Sequence, residues 1–381
     1  MKRFFSYTIL SFFLLLLPTG QASANNNDSI RLSLLTCAPG EEIYSLFGHT
    51  AIRYENSSQG IDVVFNYGLF SFNTPNFIFR FSLGETDYQL GATDYERFAA
   101  EYAFFGRSVW QQTLNLTDEE KTELIRLLQE NYRPENRVYR YNFFYDNCAT
   151  RPRDKIEESI AGKVIYPAEP QDGSHTFRDI VHQYCKGHPW ARFGIDLCIG
   201  SEADQPITQR QMMFAPFYLM DAFDGAQIKG DSIQRPLITA NELVVDATPE
   251  PDESDWMPTP LQCSLLLFIL TAAATIYGIR RRTGLWGIDL FLFGIAGIVG
   301  CVLAFLALFS QHPAVSSNFL LLVFHPGQLL FLPYIIYCVR KGKKCWYLTL
   351  NLAVLTLFIV LFPVIPQRFD FAVVPLALVL L

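Results

Sequence analysis

The sequence predicts an α+β domain followed by an all-α bundle of membrane-spanning helices. Three observations carry this. Strand and helix patterns mix between residues 25 and 246, long apolar stretches crowd the chain after residue 260, and an acidic, Pro-rich segment at 247–260 separates the two. A helix needs about 20 apolar residues to cross a hydrocarbon layer of ~30 Å.

Residues 1–24 read as a secretory leader. Lys2-Arg3 supplies the positive start, Phe4–Leu17 the apolar run, and Ala22-Ser23-Ala24 the small-residue ending. The run is too short for a span, and no Cys follows it, so the chain is not expected to be a lipoprotein itself. In the exported part, Ile30–Thr36, Thr50–Tyr54 and Ile61–Tyr67 read as strands, with a turn over Glu55–Gly60. Phe77–Leu83 and Tyr88–Leu90 are weaker strand candidates. Asp94–Phe105 has helical spacing and Arg107–Leu116 alternates as a strand. Thr117 with Glu120 forms a capping box for a helix to about Asn131. Val138–Tyr145 reads as a strand, Cys148–Ile160 as a helix, Thr176–Tyr184 and Ile207–Phe223 as helical, and Arg235–Asp246 as a last strand.

After the linker, Leu261–Gly278, Ile288–Phe309, Asn318–Val339 and Trp346–Phe362 have spanning length, and Phe369–Leu381 is a partial fifth. Arg280–Arg282 and Arg340–Lys344 cluster at alternate loops, which the positive-inside rule assigns to the cytoplasm. The domain at 25–246 is thereby expected outside, in the periplasm, on a multi-pass inner-membrane protein; the leader demands the same side. The exported part holds 20 basic against 35 acidic residues, which argues against nucleic acid or an anionic surface as a partner.

Four of the eight Cys are exported: Cys37, Cys148, Cys185 and Cys198. Spacing makes Cys185 and Cys198 the expected disulfide, since an oxidising compartment permits one. Cys148 follows Asp146-Asn147 at a strand-to-helix junction, where the helix dipole with Arg151 and Arg153 would favour the thiolate. His49 opens an apolar strand and would serve as the base. Asn66, on one face of Ile61–Gly68, is the candidate to orient it. Asn147, Thr150 and Arg151 are candidate supports, with backbone N–H groups at the Cys148 helix start holding an oxyanion. Cys37 reads as structural, or as a second thiol. Alone, each of these residues is ordinary: a Cys at a helix start is usually a small apolar residue, and a His beside Gly a turn residue. His182-x2-Cys185-x2-His188 would place zinc ligands badly along one helix, and nothing else calls for a metal or cofactor. His325, inside an expected span, is either a functional group or a hydrogen-bonded residue at a Pro kink.

The segments Leu35–Gly40, Tyr44–Arg53, Phe65–Gly68, Tyr141–Arg151 and Phe193–Leu197 together resemble the Lnb N-terminal periplasmic domain family, and the helical region after them fits the same family. More broadly, a His on a strand followed later by Asn-Cys opening a helix resembles the circularly permuted papain-like enzymes of the NlpC/P60 group. The resemblance implies a permuted papain-like thiol domain. It also implies lipoprotein N-acylation of Bacteroidota type, moving an acyl chain from a phospholipid donor to the α-amine of a diacylated lipoprotein acceptor. Two other readings stay open: a membrane-tethered cysteine peptidase or amidase acting on cell-wall peptides, and a non-enzymatic envelope binding or sensing module.

Overall fold

The computed structural model describes residues 29–71, 73, 75–167, 175–230, 234–247 and 257–381. The expected leader and most of the expected linker lie outside these. Seven antiparallel strands form the main sheet in the order β10-β5-β1-β2-β3-β4-β6. They are β1 (Ile30–Cys37), β2 (His49–Asn56), β3 (Ile61–Leu69), β4 (Asp87–Asp94), β5 (Val109–Leu114), β6 (Val138–Arg140) and β10 (Ile238–Val245). A small second sheet joins β7 (Lys163–Ile165), β8 (Gln227–Lys229) and β9 (Gln234–Pro236). The alternation of β1 explains the layering. Leu32 and Leu34 pack on one face with Ile52, Phe65, Leu124 and Phe223. Leu35 and Cys37 pack on the other with Ala51, Val64 and Phe98 of the Tyr95–Phe104 helix. The domain is α+β.

Four expectations change. Phe77–Leu83 is a helix ended by Gly84 in the left-handed region, not a strand; its Phe77 and Phe81 sit one turn apart and stack. Beyond Arg140 the expected strand over Val138–Tyr145 gives way to turns, with an isolated bridge between Asn142 and Asp146. The expected helix from Cys148 is regular only from Thr150; Cys148 and Ala149 form the turn leading into it, where the Asn147 Oδ1 accepts the N–H groups of Ala149 and Thr150. Cys185 and Cys198 are both free thiols, as are the other six. Cys185 closes the Phe177–Tyr184 helix and is buried among Phe177, Ile180 and Phe214, so core packing rather than a bridge holds it.

In the C-terminal part, the Pro260–Arg281 and Trp286–Phe309 helices are long and apolar enough to cross a membrane. The stretch expected as one span over 318–339 is broken into Phe319–Leu330 and Leu332–Lys341, bent by 73°. Pro333, in the first turn after the break, has no N–H to donate and its ring crowds the preceding turn. Trp346–Leu361 is helical over 16 residues, and Val373–Val379 follows as a short helix. The two basic ends lie together: Arg340 rests over Trp286, 5.3 Å from the ring centre. The opposite end holds the α+β domain. There Arg368 binds Asp204, Asp179 and Thr176, Gly200 N donates to Ala314 O, and Asn318 Nδ2 donates to Leu197 O.

Candidate active site

The geometry starts from strand register. Ala51 pairs with Asn66 across β2 and β3, so His49, two residues earlier on the same face, stands diagonal to Asn66. Its Nε2 lies 3.3 Å from Asn66 Oδ1. A carbonyl oxygen only accepts, so Nε2 carries the proton and Nδ1 is left as the basic nitrogen.

Cys148 comes to the same sheet end from another direction. Its thiol meets the backbone N–H of Thr50, the residue after His49, and its own N–H. Its Cβ stands 3.4 Å from where a Gly68 Cβ would project, two residues past Asn66. The neighbours of both His49 and Asn66 therefore touch Cys148. Gly68 is held at φ +89° and Gly48, before His49, at φ +78°, where a Cβ would strike the Cys37 carbonyl at 2.5 Å. These two glycines make the close approach possible, and only the Asn-Tyr-Gly strand ending hinted at one of them. Gly68→Ala is expected to add about 1–2 kcal/mol of left-handed strain to the strand end that packs on Cys148. A several-fold drop in its alkylation rate, with a lowered Tm, is the expected readout.

Charge around the thiol differs from the sequence expectation. Burial is the first cause, pushing the Cys148 thiol up to about 11 against the pull of the two backbone N–H groups. Burial likewise pushes His49 down to about 4, with the Asn66 bond opposing and the Arg107 charge adding to the fall. Arg151 does not activate the thiol, because it forks onto Asp146 at 2.6 and 2.8 Å and lies over the Tyr139 ring. Arg153 is held by Asp154 and the Arg210 carbonyl. At neutral pH the pair is thus neutral thiol and neutral imidazole. A raised thiol pKa means less thiolate at pH 7. Alkylation of Cys148 by iodoacetamide should therefore rise about tenfold per pH unit from 7 to 10 and level only near 11, where an unperturbed thiol levels around 8.5. A plateau by pH 9 would refute this.

The supporting residues are committed to the turn. Asn147 is buried, with Nδ2 donating to Phe143 O and Phe214 O at 2.8 and 2.9 Å and Oδ1 accepting from Ala149 and Thr150. Its side chain has no donor left for an oxyanion. Thr150 Oγ1 accepts from Asn147 N at 2.8 Å. With the Ala149 and Thr150 N–H groups taken, Cys148 N–H is the candidate oxyanion donor. Cys37 pairs with His49 in register and is fully buried, and burial drives its thiol up to about 12 despite the Tyr102 hydrogen bond and Arg107. His182 is bonded to Asp196, and among the described residues no group of His, Cys, Asp and Glu is arranged to hold a metal.

An aromatic wall, which sequence reasoning saw only as a Tyr- and Phe-rich run, completes the site. Tyr141 stacks on Tyr88 at 4.1 Å, and Tyr141 and Tyr139 close on Gly68 beside Cys148. The molecule is a membrane-anchored α+β protein with a half-buried thiol and an oriented imidazole at one end of its sheet. Two family descriptions match it, the Lnb N-terminal periplasmic domain over residues 20–183 and the Lnb transmembrane domain over 252–381. The chain belongs to the Lnb family, as a membrane protein with a periplasmic N-terminal domain. No curated protein and no solved structure matches it.

Proposed function

We propose that this protein is an inner-membrane lipoprotein N-acyltransferase using a Cys148–His49–Asn66 site on a permuted papain-like domain. The observation that carries the reading is a thiol on the Thr50 backbone N–H, one residue from an imidazole oriented by Asn66, in a domain bound to a membrane bundle. As Cys148 Sγ attacks the ester carbonyl of a phospholipid, His49 Nδ1 takes its proton. The C–O bond breaks, and His49 returns the proton to the departing lysophospholipid oxygen. The acyl group is left as a thioester. The α-amine of a diacylated lipoprotein then attacks that carbonyl, the C–S bond breaks, and the amine's proton passes through His49 back to the thiolate. Cys148 N–H stabilises the oxyanion in both steps. Asn66 keeps the imidazole in the tautomer that leaves Nδ1 free.

The test is the full chain in phospholipid vesicles with a diacylated lipopeptide. A hydroxylamine-labile acyl adduct on Cys148 and an acyl mass gained at the peptide's amine are expected. Peptide-bond cleavage without acyl gain would replace this reading with the peptidase.

A further inference from the structure

The Phe77–Leu83 helix, with β4 and the outer end of the Trp286–Phe309 helix around it, has no part in the chemistry above. None of its residues is buried, and Ile78 is 81% exposed. An apolar turn of this kind is costly to leave in water. It is tied instead to the end of the spanning helix: Gln311 N donates to Leu83 O at 2.8 Å, Gly84 packs on the His312 backbone, and Phe79 meets Phe305 at 6.0 Å. Between the two helices lies a groove of about 920 Å³, with Phe77, Ile78 and Phe79 on one side and Val302, Phe305 and Leu306 on the other. Val302 lies seven residues before the helix end at Phe309. At 1.5 Å per residue, the groove sits roughly 5–10 Å below that end, the depth of an interfacial helix.

From the groove a row of rings leads inward. Phe77 stacks on Phe70 at 5.8 Å, Phe70 meets Tyr88 at 5.0 Å, and Tyr88 stacks on Tyr141 at 4.1 Å, beside Gly68 and Cys148.

We propose that this groove holds one acyl chain of a membrane phospholipid, and that the row Phe77–Phe70–Tyr88–Tyr141 leads its ester to Cys148. The proposal rests on the acyl-transfer reading and names where that donor enters. The occupant is a hydrocarbon tail for two reasons. The groove lies within the last turns of a helix long and apolar enough to cross a membrane, and no charged side chain lines it to receive a headgroup.

The full-length protein, reconstituted in vesicles with a phospholipid bearing a photoreactive group on one acyl chain, provides the test. Crosslinks mapped by mass spectrometry should concentrate on residues 77–82 and 301–306, several-fold above the exposed face of the Pro260–Arg281 helix. Equal labelling of both surfaces would overturn the proposal. Val302→Trp, which fills the groove, should slow thioester formation at least tenfold while leaving iodoacetamide alkylation of Cys148 unchanged. Ile269→Trp on the Pro260–Arg281 helix should leave both rates unchanged, and an undiminished thioester rate in Val302→Trp would also overturn it. Groove labelling in a wild-type protein that never forms a thioester would leave the lipid site standing and remove the acyl-transfer reading.

Discussion

Cys148→Ala is expected to abolish acyl transfer, and His49→Ala to lower it by about 10²–10⁴-fold, the usual worth of a positioned base. Without Sγ no covalent intermediate forms, and the alternative thiol, Cys37, is fully buried with its pKa driven up to about 12. Without the imidazole, a thiol held near 11 has no neighbour to take its proton. Neither change opens a large cavity, because both side chains are only half-buried at the sheet end. Protein abundance should therefore match wild type, while the lipoprotein N-terminus measured by mass spectrometry stays diacylated. Cys148→Ala protein that still acylates at the wild-type rate would end the nucleophile assignment.

The largest expected stability effect lies elsewhere. Arg178 is fully buried, with Nη1 on Asp196 at 2.6 Å, Nε on Asp204 at 2.8 Å, and Nη2 on the Ile199 and Gly200 carbonyls. Arg178→Met would leave two carboxylates and two carbonyls without that cation. Breaking a buried pair by removing one partner costs about 3–5 kcal/mol, or roughly 10 °C in Tm for a domain of this size. Arg31→Ala, which breaks an ion pair with Glu55 on a half-exposed side chain, should cost under about 1 kcal/mol. Thermal unfolding of the full chain in detergent compares the two. Equal shifts would show that Arg178 is not the anchor its bonds describe. Arg368 of the loop at 363–370 shares Asp204 with Arg178, so the same measurement reports on the junction between the domain and the bundle.

Much of this was legible in the sequence because it depends on local order. Alternation in 30–36, 50–54 and 61–67 gave β1–β3, and the Thr117–Glu120 capping box gave its helix, found with both reciprocal bonds in place. Hydropathy located the two long spanning helices. The choice of Cys148, His49 and Asn66 also rested on local signals: an Asn-Cys junction, a His opening a strand, and a two-residue period. Long-range packing set the rest. The Phe77–Leu83 run is apolar enough for a strand, and a spanning helix 220 residues away gives it a surface to lie on as a helix. The bend at Phe331 depends on packing as close as Gly297 and Gly300 allow against Leu329 and His325, which no hydropathy window reports. The thiol's ionisation could not be read from the chain at all. Arg151 and Arg153 stand beside Cys148 in sequence, yet their charges are taken by Asp146 and Asp154, and burial decides the pKa. Sequence alone thus determined an exported α+β domain and its membrane anchor, and it supplied the candidate residues of the site. Tertiary structure decided that His49 meets Asn66, that Cys148 meets the Thr50 backbone, and where the groove lies, because distance and desolvation are properties of the packed chain.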